Sequence, residues 1–470
     1  VFLLLWVNVS ASKIRANARD HCMIQRLRPP TRVSSRTRRP VAPNPGACHS
    51  RYDGTNMIRS FFICLLLSSH AFAGSTWPSF RGTGDSLSDA KDLPLKWSDT
   101  EGIAWTAEIK GYGQSSPVVH GGKVFVTSVE GKTKTTLHVS AFDLKSGKPL
   151  WVKTFNGTQP IEDSDYVSKA PGTPCVDDKA VYAFFESGEL IALDHDGNTL
   201  WQRSLTKEYG SFLGNHGIGC SPAQTKDNII VLIDHDGPSY LLAVDKATGK
   251  NAWKVDREKR VSWSSPVVAT RKGKEQIIIS SNGAAEAYSA EDGKRIWGGE
   301  GVKGNTVASA TVAQDLIVIS SGTQGYNFAL KLDAAGDLKD EDIIWRAESV
   351  SVSFGSPLVL GDHVYFVSKA GVAYCVKRAT GEDAWLQRLG DSCWASPIGV
   401  SGKHDEHGER VYFFTKGGNT VVIAGGGEAA KVIAENKLTI EGRIYGAAAV
   451  DGVFVIRTGS KLYCAGAPSR

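Results

Sequence analysis

The sequence predicts an all-β fold: an eight-bladed β-propeller of four-stranded antiparallel blades, the last blade closed by a strand from near the N-terminus. Three observations carry that prediction. A unit of about 47 residues recurs along the chain, the period of a supersecondary module that cannot bury its apolar face alone. The unit closes on Ala-x-Asp-x-x-x-Gly-Lys-x-x-Trp, sharpest from Ala141 to Trp151 and from Ala243 to Trp253, with looser copies ending at Trp201, Trp297, Trp345 and Trp385. It opens on a small residue and proline before an apolar run: Ser116-Pro117, Thr173-Pro174, Ser221-Pro222, Ser265-Pro266, Ser356-Pro357 and Ser396-Pro397. Between these marks lie short alternating stretches such as Val124 to Thr127 and turns rich in Gly and Asp, so one unit reads as four short strands.

Taken in order, residues 1–56 belong to no repeat. They hold a short apolar run, Val1 to Val7, and a Pro- and Arg-rich tract from Lys13 to Arg51, and are expected to be an upstream extension outside any folded unit. Residues 57–73 read as a signal peptide, with Arg59, an apolar run from Phe61 to Leu67 and Ala-x-Ala at Ala71 to Ala73. Translation is then expected to start at Met57 and the exported chain near Gly74, with one propeller over residues 74–470 and neither a second domain nor a transmembrane helix. Ile103 to Ile109 carries Trp105 at the place of a closing Trp. Aligning Pro117 with Ala448 leaves the eighth unit roughly 24 residues, enough for three strands ending at Leu462 to Ala465. Ile103 to Ile109 is expected to supply the fourth strand and close the ring without an open seam. Blade seven is degenerate, with Val432 at the place of its Trp and Gly425 to Gly427 at the turn. The closing residues Trp105, Trp151, Trp201, Trp253, Trp297, Trp345 and Trp385 are expected to dock between blades, each ring on the Gly turn of its neighbour.

The closing motif resembles the tryptophan-docking repeat of the pyrroloquinoline-quinone (PQQ) propeller superfamily. W-P-S-F-R-G at Trp77 to Gly82, followed by L-P-L-K-W and S-S-P-V-V, resembles the start of secreted bacterial PQQ-like repeat proteins. The resemblance covers about Trp77 to the C-terminus and implies the fold. It implies no single activity, because it embraces calcium-dependent quinoprotein dehydrogenases as well as non-catalytic propellers similar to the lipoprotein of the outer-membrane protein assembly machine. A quinoprotein dehydrogenase would hold PQQ flat over the ring, place Ca²⁺ on carboxylate and amide oxygens and set an Asp beside the quinone carbonyl, often with the cofactor against a disulfide between successive cysteines. This chain has no Cys-Cys pair, and its compact turns lack the blade insertions that build such a pocket. No cofactor and no metal are therefore expected. A PQQ-dependent or sugar-directed oxidoreductase with an atypical site is the alternative from another class, and an outer-membrane protein assembly factor is a third reading.

Ten Lys and Arg against two Asp in residues 1–56, together with Arg59, more than account for the formal net charge of +5. The remainder is mildly acidic and offers no argument for nucleic acid. Cys64 sits in the signal's apolar run without the residues that precede a lipidated Cys, which favours a soluble periplasmic or secreted form. Five cysteines follow Gly74, namely Cys175, Cys220, Cys375, Cys393 and Cys464, and an odd number forbids complete pairing. A bridge between Cys175 and Cys220 is left open; buried free thiols are the simpler expectation. No Cys-x-x-Cys occurs, which removes thioredoxin chemistry and a zinc ribbon. D-H-D-G at Asp194 to Gly197 and at Asp234 to Gly237 reads as hairpin turns, and His404, Asp405, Glu406 and His407 as a solvated loop.

The loops that enter the innermost strands remain as the candidate site. Gln114, Trp263, Phe354 and Trp394 stand three residues before each Pro-type position, with Tyr445 joining them on a weaker alignment. Tyr112, Asn215, His216, Arg260, Asn305 and Arg443 lie nearby, a mixture suited to a recognition surface at the channel mouth. No residue is expected to be catalytic. The expected function is an exported binding or scaffold propeller, monomeric, that recognises an envelope protein, a peptide or a glycan there.

Overall fold

The computed structural model describes residues 76–162, 169–214, 216–403, 406–450 and 452–468. The upstream extension, the signal peptide, the start at Gly74, Asn215, His404 and Asp405 lie outside these residues. Eight antiparallel sheets follow one another along the chain, and the regular helix described is the single short turn Leu205–Tyr209. The first strands of the blades are Val118–His120, Cys175–Val176, Ala223–Gln224, Val267–Arg271, Thr311–Ala313, Leu358–Leu360, Ile398–Val400 and Gly446–Val450. The first strands of blades one to seven lie successively against one another, Leu87–Ser88 bridges Ile398–Val400 to Gly446–Val450, and Gly446–Val450 lies against Val118–His120, so they line the axis of a closed ring. The chain is an eight-bladed β-propeller, as the repeat dictates.

Blade eight is shared between distant parts of the chain. Ile103–Glu108 pairs antiparallel with Lys461–Gly466, Trp105 opposite Cys464 and Glu108 opposite Lys461, as the missing-strand argument requires. In the other blades the closing Trp likewise faces a small residue of the third strand: Trp151 opposite Ala141, Trp201 opposite Ala192, Trp253 opposite Ala243, Trp297 opposite Ala287, Trp345 opposite Ala329 and Trp385 opposite Cys375. A register shift follows each pair and turns the indole toward the next blade. There the rings of Trp105, Trp151, Trp201, Trp253 and Trp345 cover Gly147, Gly197, Gly249, Gly293 and Gly381, where a Cβ would lie only 2.5–2.9 Å from the indole. All five glycines have positive φ, so backbone geometry and ring contact both demand glycine. Each of these indole N–H groups donates to a backbone carbonyl of the covered turn, at 2.7–3.0 Å. Trp297 differs: it is wholly buried without an acceptor for its N–H, and its blade carries an extra parallel strand, Gly336–Asp337, on the outer edge.

Two details of the sequence alignment need correction. Blade seven places Ala434, opposite Val422 and just before the register shift, where the other blades place Trp; Val432 lies beyond the shift. The tight hairpin of blade eight pairs Val450 with Val453, as His120 pairs with Lys123 in blade one, so Ala447 rather than Ala448 matches Pro117. Ile444 then takes the position three residues upstream, and it is buried.

Residues 76–102, which no repeat explains, form a strap. Trp77 bridges the first strand of blade one at Val119, and Leu87–Ser88 runs parallel to the first strand of blade seven. The segment between them crosses the axis, since Arg81 reaches Ala310 O in blade five and Pro357 O in blade six. The strap then leaves between blades seven and eight, where Trp97, 3% exposed, packs on Tyr412 and Phe454. Trp97 thus fills the interface that blade seven, with alanine at its docking position, leaves without an indole.

The five cysteines after Gly74 are buried, unpaired thiols; Cys175 donates to Pro222 O at 3.2 Å and Cys220 to Leu232 O at 2.7 Å. Burial pushes the thiols of Cys175, Cys375, Cys393 and Cys464 up to about 12, the behaviour of small apolar core residues.

Candidate functional site

The Ser-Pro repeats build the wall of the axial channel. The backbone N–H of each opening residue donates to the hydroxyl of its counterpart one blade on: Ser116 to Thr173, Thr173 to Ser221, Ser221 to Ser265, Ser265 to Ser309, Ser309 to Ser356 and Ser356 to Ser396, at 2.8–3.1 Å. The hydroxyl is an inter-blade acceptor, and the proline that follows all of these residues except Ser309 has no N–H that would need one. In blade eight the position is Gly446, where a Cβ would collide with the Ser116 hydroxyl.

The strap closes one end of this channel. Arg81 is 4% exposed and donates to Ser86 Oγ at 3.0 Å, Ala310 O at 2.9 Å, Pro357 O at 3.1 Å and Thr311 Oγ1. Burial among these neutral oxygens pulls its guanidinium down to about 10. Phe80, beside it, faces the channel and forms part of the floor of a cavity of about 620 Å³.

That cavity opens at the other end, and the residues three before the Pro-type positions surround it. Gln114, Pro171, Gly219, Trp263, Val307, Phe354 and Trp394 all line it, joined by His216, Lys369, Arg443, Tyr445 and ring serines. Phe354 and Trp394 pack with centroids 4.9 Å apart. Lys369 Nζ lies 5.3 Å from the Phe354 ring centre, while Arg443 Cζ and Lys416 Nζ lie 4.4 and 5.9 Å from that of Trp394. Across the mouth, Trp263 donates to Gly217 O at 2.9 Å and its ring sits 5.8 Å from His216. The loop carrying His216 is pinned from below by His235, whose Nδ1 accepts from Leu213 N–H and Gly237 N–H at 2.9 and 3.1 Å and whose Nε2–H donates to Pro238 O at 2.9 Å. That tautomer is neutral, and burial holds His235 below the usual histidine value.

Tyr112 and Tyr445 share a 2.7 Å hydrogen bond at the seam between blades one and eight. Burial, then that bond, raises the Tyr112 phenol above its ordinary value. Beneath them Arg457, wholly buried, donates to Ser115 O and Thr127 O at 3.0 and 2.7 Å, and burial pulls it down to about 9.

Of the candidate residues, Gln114, His216, Trp263, Phe354, Trp394, Arg443 and Tyr445 are thus brought to one cavity, with Tyr112 bonded to its rim. Tyr445 reaches it from a different register than its aromatic counterparts. Asn305 is not at the mouth: it is buried, donating to Ser281 O and Ala284 O at 2.9 and 2.8 Å and accepting from Gly283 N–H, which pins a hairpin. Arg260 is not among the lining residues either: its side chain is largely buried, donating to Asn282 O and pairing with Glu300 at 2.8 Å. Sequence reasoning missed Phe80 and Lys369. Phe80 lies in the W-P-S-F-R-G segment, which marks the start of the resemblance but no blade, and Lys369 sits in a hairpin turn remote in sequence from the opening motif. The two D-H-D-G stretches are turns, with Asp234 held by Arg257 and Ser281 and Asp194 capping Asn198.

The ring serines serve as acceptors of backbone N–H groups, and among the described residues none is hydrogen-bonded to a histidine or carboxylate that would make it a nucleophile.

Fold and site together define a PQQ-like β-propeller with a ligand-sized cavity at one end of its channel. A family model described as outer membrane protein assembly factor BamB matches residues 87–217 and 215–387, and the chain belongs to that family. An outer membrane protein assembly factor BamB of Xanthomonas campestris pv. campestris is 28% identical over 141 residues, covering 30% of each chain. That of Alkalilimnicola ehrlichii is 27% identical over 157 residues, 33% of this chain and 36% of its own. The match spans about a third of the length of these relatives. Among solved structures, BamB from Moraxella catarrhalis superposes with a TM-score of 0.55 at 13% identity, over 77% of this chain and 99% of its own. A quinohemoprotein alcohol dehydrogenase from Pseudomonas putida HK5 gives 0.56 at 11% identity, over 83% and 81%. These likenesses concern the fold, which serves an assembly factor and a dehydrogenase alike.

Proposed function

We propose that this protein is an exported, non-catalytic binding and scaffold propeller that takes a segment of an envelope protein into its channel mouth. The cavity of about 620 Å³ between Trp263, Phe354, Trp394 and Tyr445 carries the proposal. It has the size of a ligand site, and large aromatic rings at a wet rim offer broad contact at low conformational cost. Membership of the BamB family, whose relatives are outer membrane protein assembly factors, supports an envelope partner tied to outer-membrane protein assembly. The reading places the protein in the periplasm, or secreted, as a monomer. No helix among the described residues is long and apolar enough to cross a membrane, which is compatible with that placement.

Capture from envelope extracts by the wild type and by Trp394→Ala, compared quantitatively, tests the proposal. The expected outcome is an envelope protein retained by the wild type and lost from a variant that melts normally; equal capture by both contradicts a role for the mouth. The dehydrogenase alternative is tested by adding PQQ with Ca²⁺. A cofactor bound at a hundredfold its dissociation constant would stabilise the fold by about 2.7 kcal/mol, and no such rise is expected.

A further inference from the structure

Away from the mouth, Arg81 and Arg457 are satisfied by buried neutral oxygens and many other described cations by carboxylates. Most arginines are matched to carboxylates: Arg257 to Asp234 and Glu286, Arg203 to Glu208, Arg260 to Glu300, Arg378 to Asp315 and Arg346 to Asp340. At the mouth the pattern breaks. Lys369, Lys416 and Arg443 stand over the faces of Phe354 and Trp394 and form no ion pair with a carboxylate among the described residues. Among the described residues no Asp or Glu lines the cavity. The nearby carboxylate of Asp391 is already taken by Ser392 N–H and Gly417 N–H, each at 2.7 Å.

The distribution is also one-sided. Lys369 and Arg443 line the wall built by blades six to eight, with Lys416 beside them over Trp394, whereas Pro171, Gly219, Trp263 and Val307, the lining residues of blades two to five at the same offset, carry no charge. Cations held over ring faces keep their charge directed at the opening while their stems pack. Such a site welcomes negative charge on one side and an apolar or aromatic group on the other, and it rejects a basic segment by like-charge repulsion.

We infer that the segment taken into the mouth is an acidic peptide, its Asp or Glu side chains on Lys369, Lys416 and Arg443 and a flanking aromatic or apolar side chain against Trp263. This rests on the proposed role of the mouth in binding and adds the chemistry of the ligand. Deep in the cavity the hydroxyl ring is occupied by backbone N–H donors, so selectivity is set at the rim.

The test uses fluorescence anisotropy with the labelled peptide Gly-Asp-Phe-Asp-Phe-Asp-Gly and its counterpart with Lys for Asp. The acidic peptide is expected to bind at least about tenfold more tightly at about 0.05 M salt and to weaken toward about 0.3 M. The double variant Lys369→Glu with Arg443→Glu should lose that preference and bind the basic peptide more tightly than the wild type does. Should it fail to fold, Arg443→Gln, which keeps most of the side chain over Trp394, should weaken the acidic peptide selectively. Equal affinity for the two peptides, or acidic binding unchanged in the charge variants, overturns the inference. If Trp394→Ala nevertheless weakens both peptides equally, mouth binding stands without the charge preference; if Trp394→Ala changes neither, both fall. Displacement by citrate at the peptide's own concentration would show a small-anion site and also overturn the assignment to a peptide.

Discussion

The two ends of the axial channel use the same kinds of residue to opposite ends. At the closed end Phe80 and Arg81 come from the strap, and the Arg81 donors find Ser86, Ala310, Thr311 and Pro357. At the open end Phe354, Trp394 and Arg443 stack on one another, and the guanidinium meets a ring instead of an oxygen. A buried arginine with its donors satisfied is a structural clamp, since removing it strands several buried acceptors. A half-buried arginine over a tryptophan, with no carboxylate partner among the described residues, leaves recognition capacity unspent. The difference teaches that burial and partner count, rather than residue type, separate the aromatic and cationic residues that hold this propeller together from those that are free to bind.

If the closed end and the seam beside it carry the structure, the largest effect should come from undoing ring closure. Deleting the last ten residues removes Lys461–Gly466, the partner of Ile103–Glu108, and leaves blade eight with two strands and an open edge. Cooperative unfolding should be lost altogether, as read by calorimetry; a truncated chain melting like the wild type would mean that the shared blade is dispensable.

A smaller effect is expected at a single docking contact. Gly249→Ala places a methyl against the Trp201 ring at a φ of +70° and should cost about 2 kcal/mol in denaturant unfolding. Gly273→Ala, at a similar φ of +76° but with nothing within 4 Å of its Cβ, should cost less, so the difference between the two measures ring contact apart from backbone strain.

The smallest effect separates the two walls of the mouth by pH. His235 is held neutral by burial, against a weaker pull upward from the Pro238 carbonyl, Asp234 and Asp236. Its folded value lies below the ordinary 6.5, so on acidification the unfolded chain takes up the proton first. The stability it contributes is present above 6.5 and is lost as the pH falls below it. Melting temperature should therefore fall from pH 7 toward 5, and His235→Gln should flatten that slope. An unchanged slope would show that other groups dominate and that the loop under His216 is not anchored through this imidazole.

Much of the architecture was legible because each blade repeats one physical solution. A closing Trp, a positive-φ glycine and a Ser-Pro opening recur wherever the same contact recurs, and the shared blade follows from the space left for the eighth unit. What the repeat could not show is what occurs once. The strap pairs with the ring through isolated contacts such as Trp77 with Val119, which leave no periodic signal. The alanine at position 434 could not be identified without the register of Val422. The candidate mouth was partly legible, since Gln114, Trp263, Phe354 and Trp394 share one offset from the openings. Asn305 and Arg260 share the neighbourhood in sequence, yet are taken up by a hairpin and by the Glu300 carboxylate. Sequence distance locates a loop but not the direction of its side chains.

The central claim is that Trp97 belongs to the structure and Trp394 to the ligand. The decisive measurement is the urea denaturation midpoint of Trp97→Ala and Trp394→Ala, taken together with their affinity for the captured envelope partner. The account predicts a loss of about 3–5 kcal/mol for Trp97→Ala, the cost of emptying a packed aromatic site. Trp394→Ala should lose less than about 1 kcal/mol of stability but more than about 1 kcal/mol of binding. A Trp394→Ala variant destabilised as severely as Trp97→Ala, with partner affinity intact among its folded molecules, would show that the aromatic ring is a plug and would contradict the account.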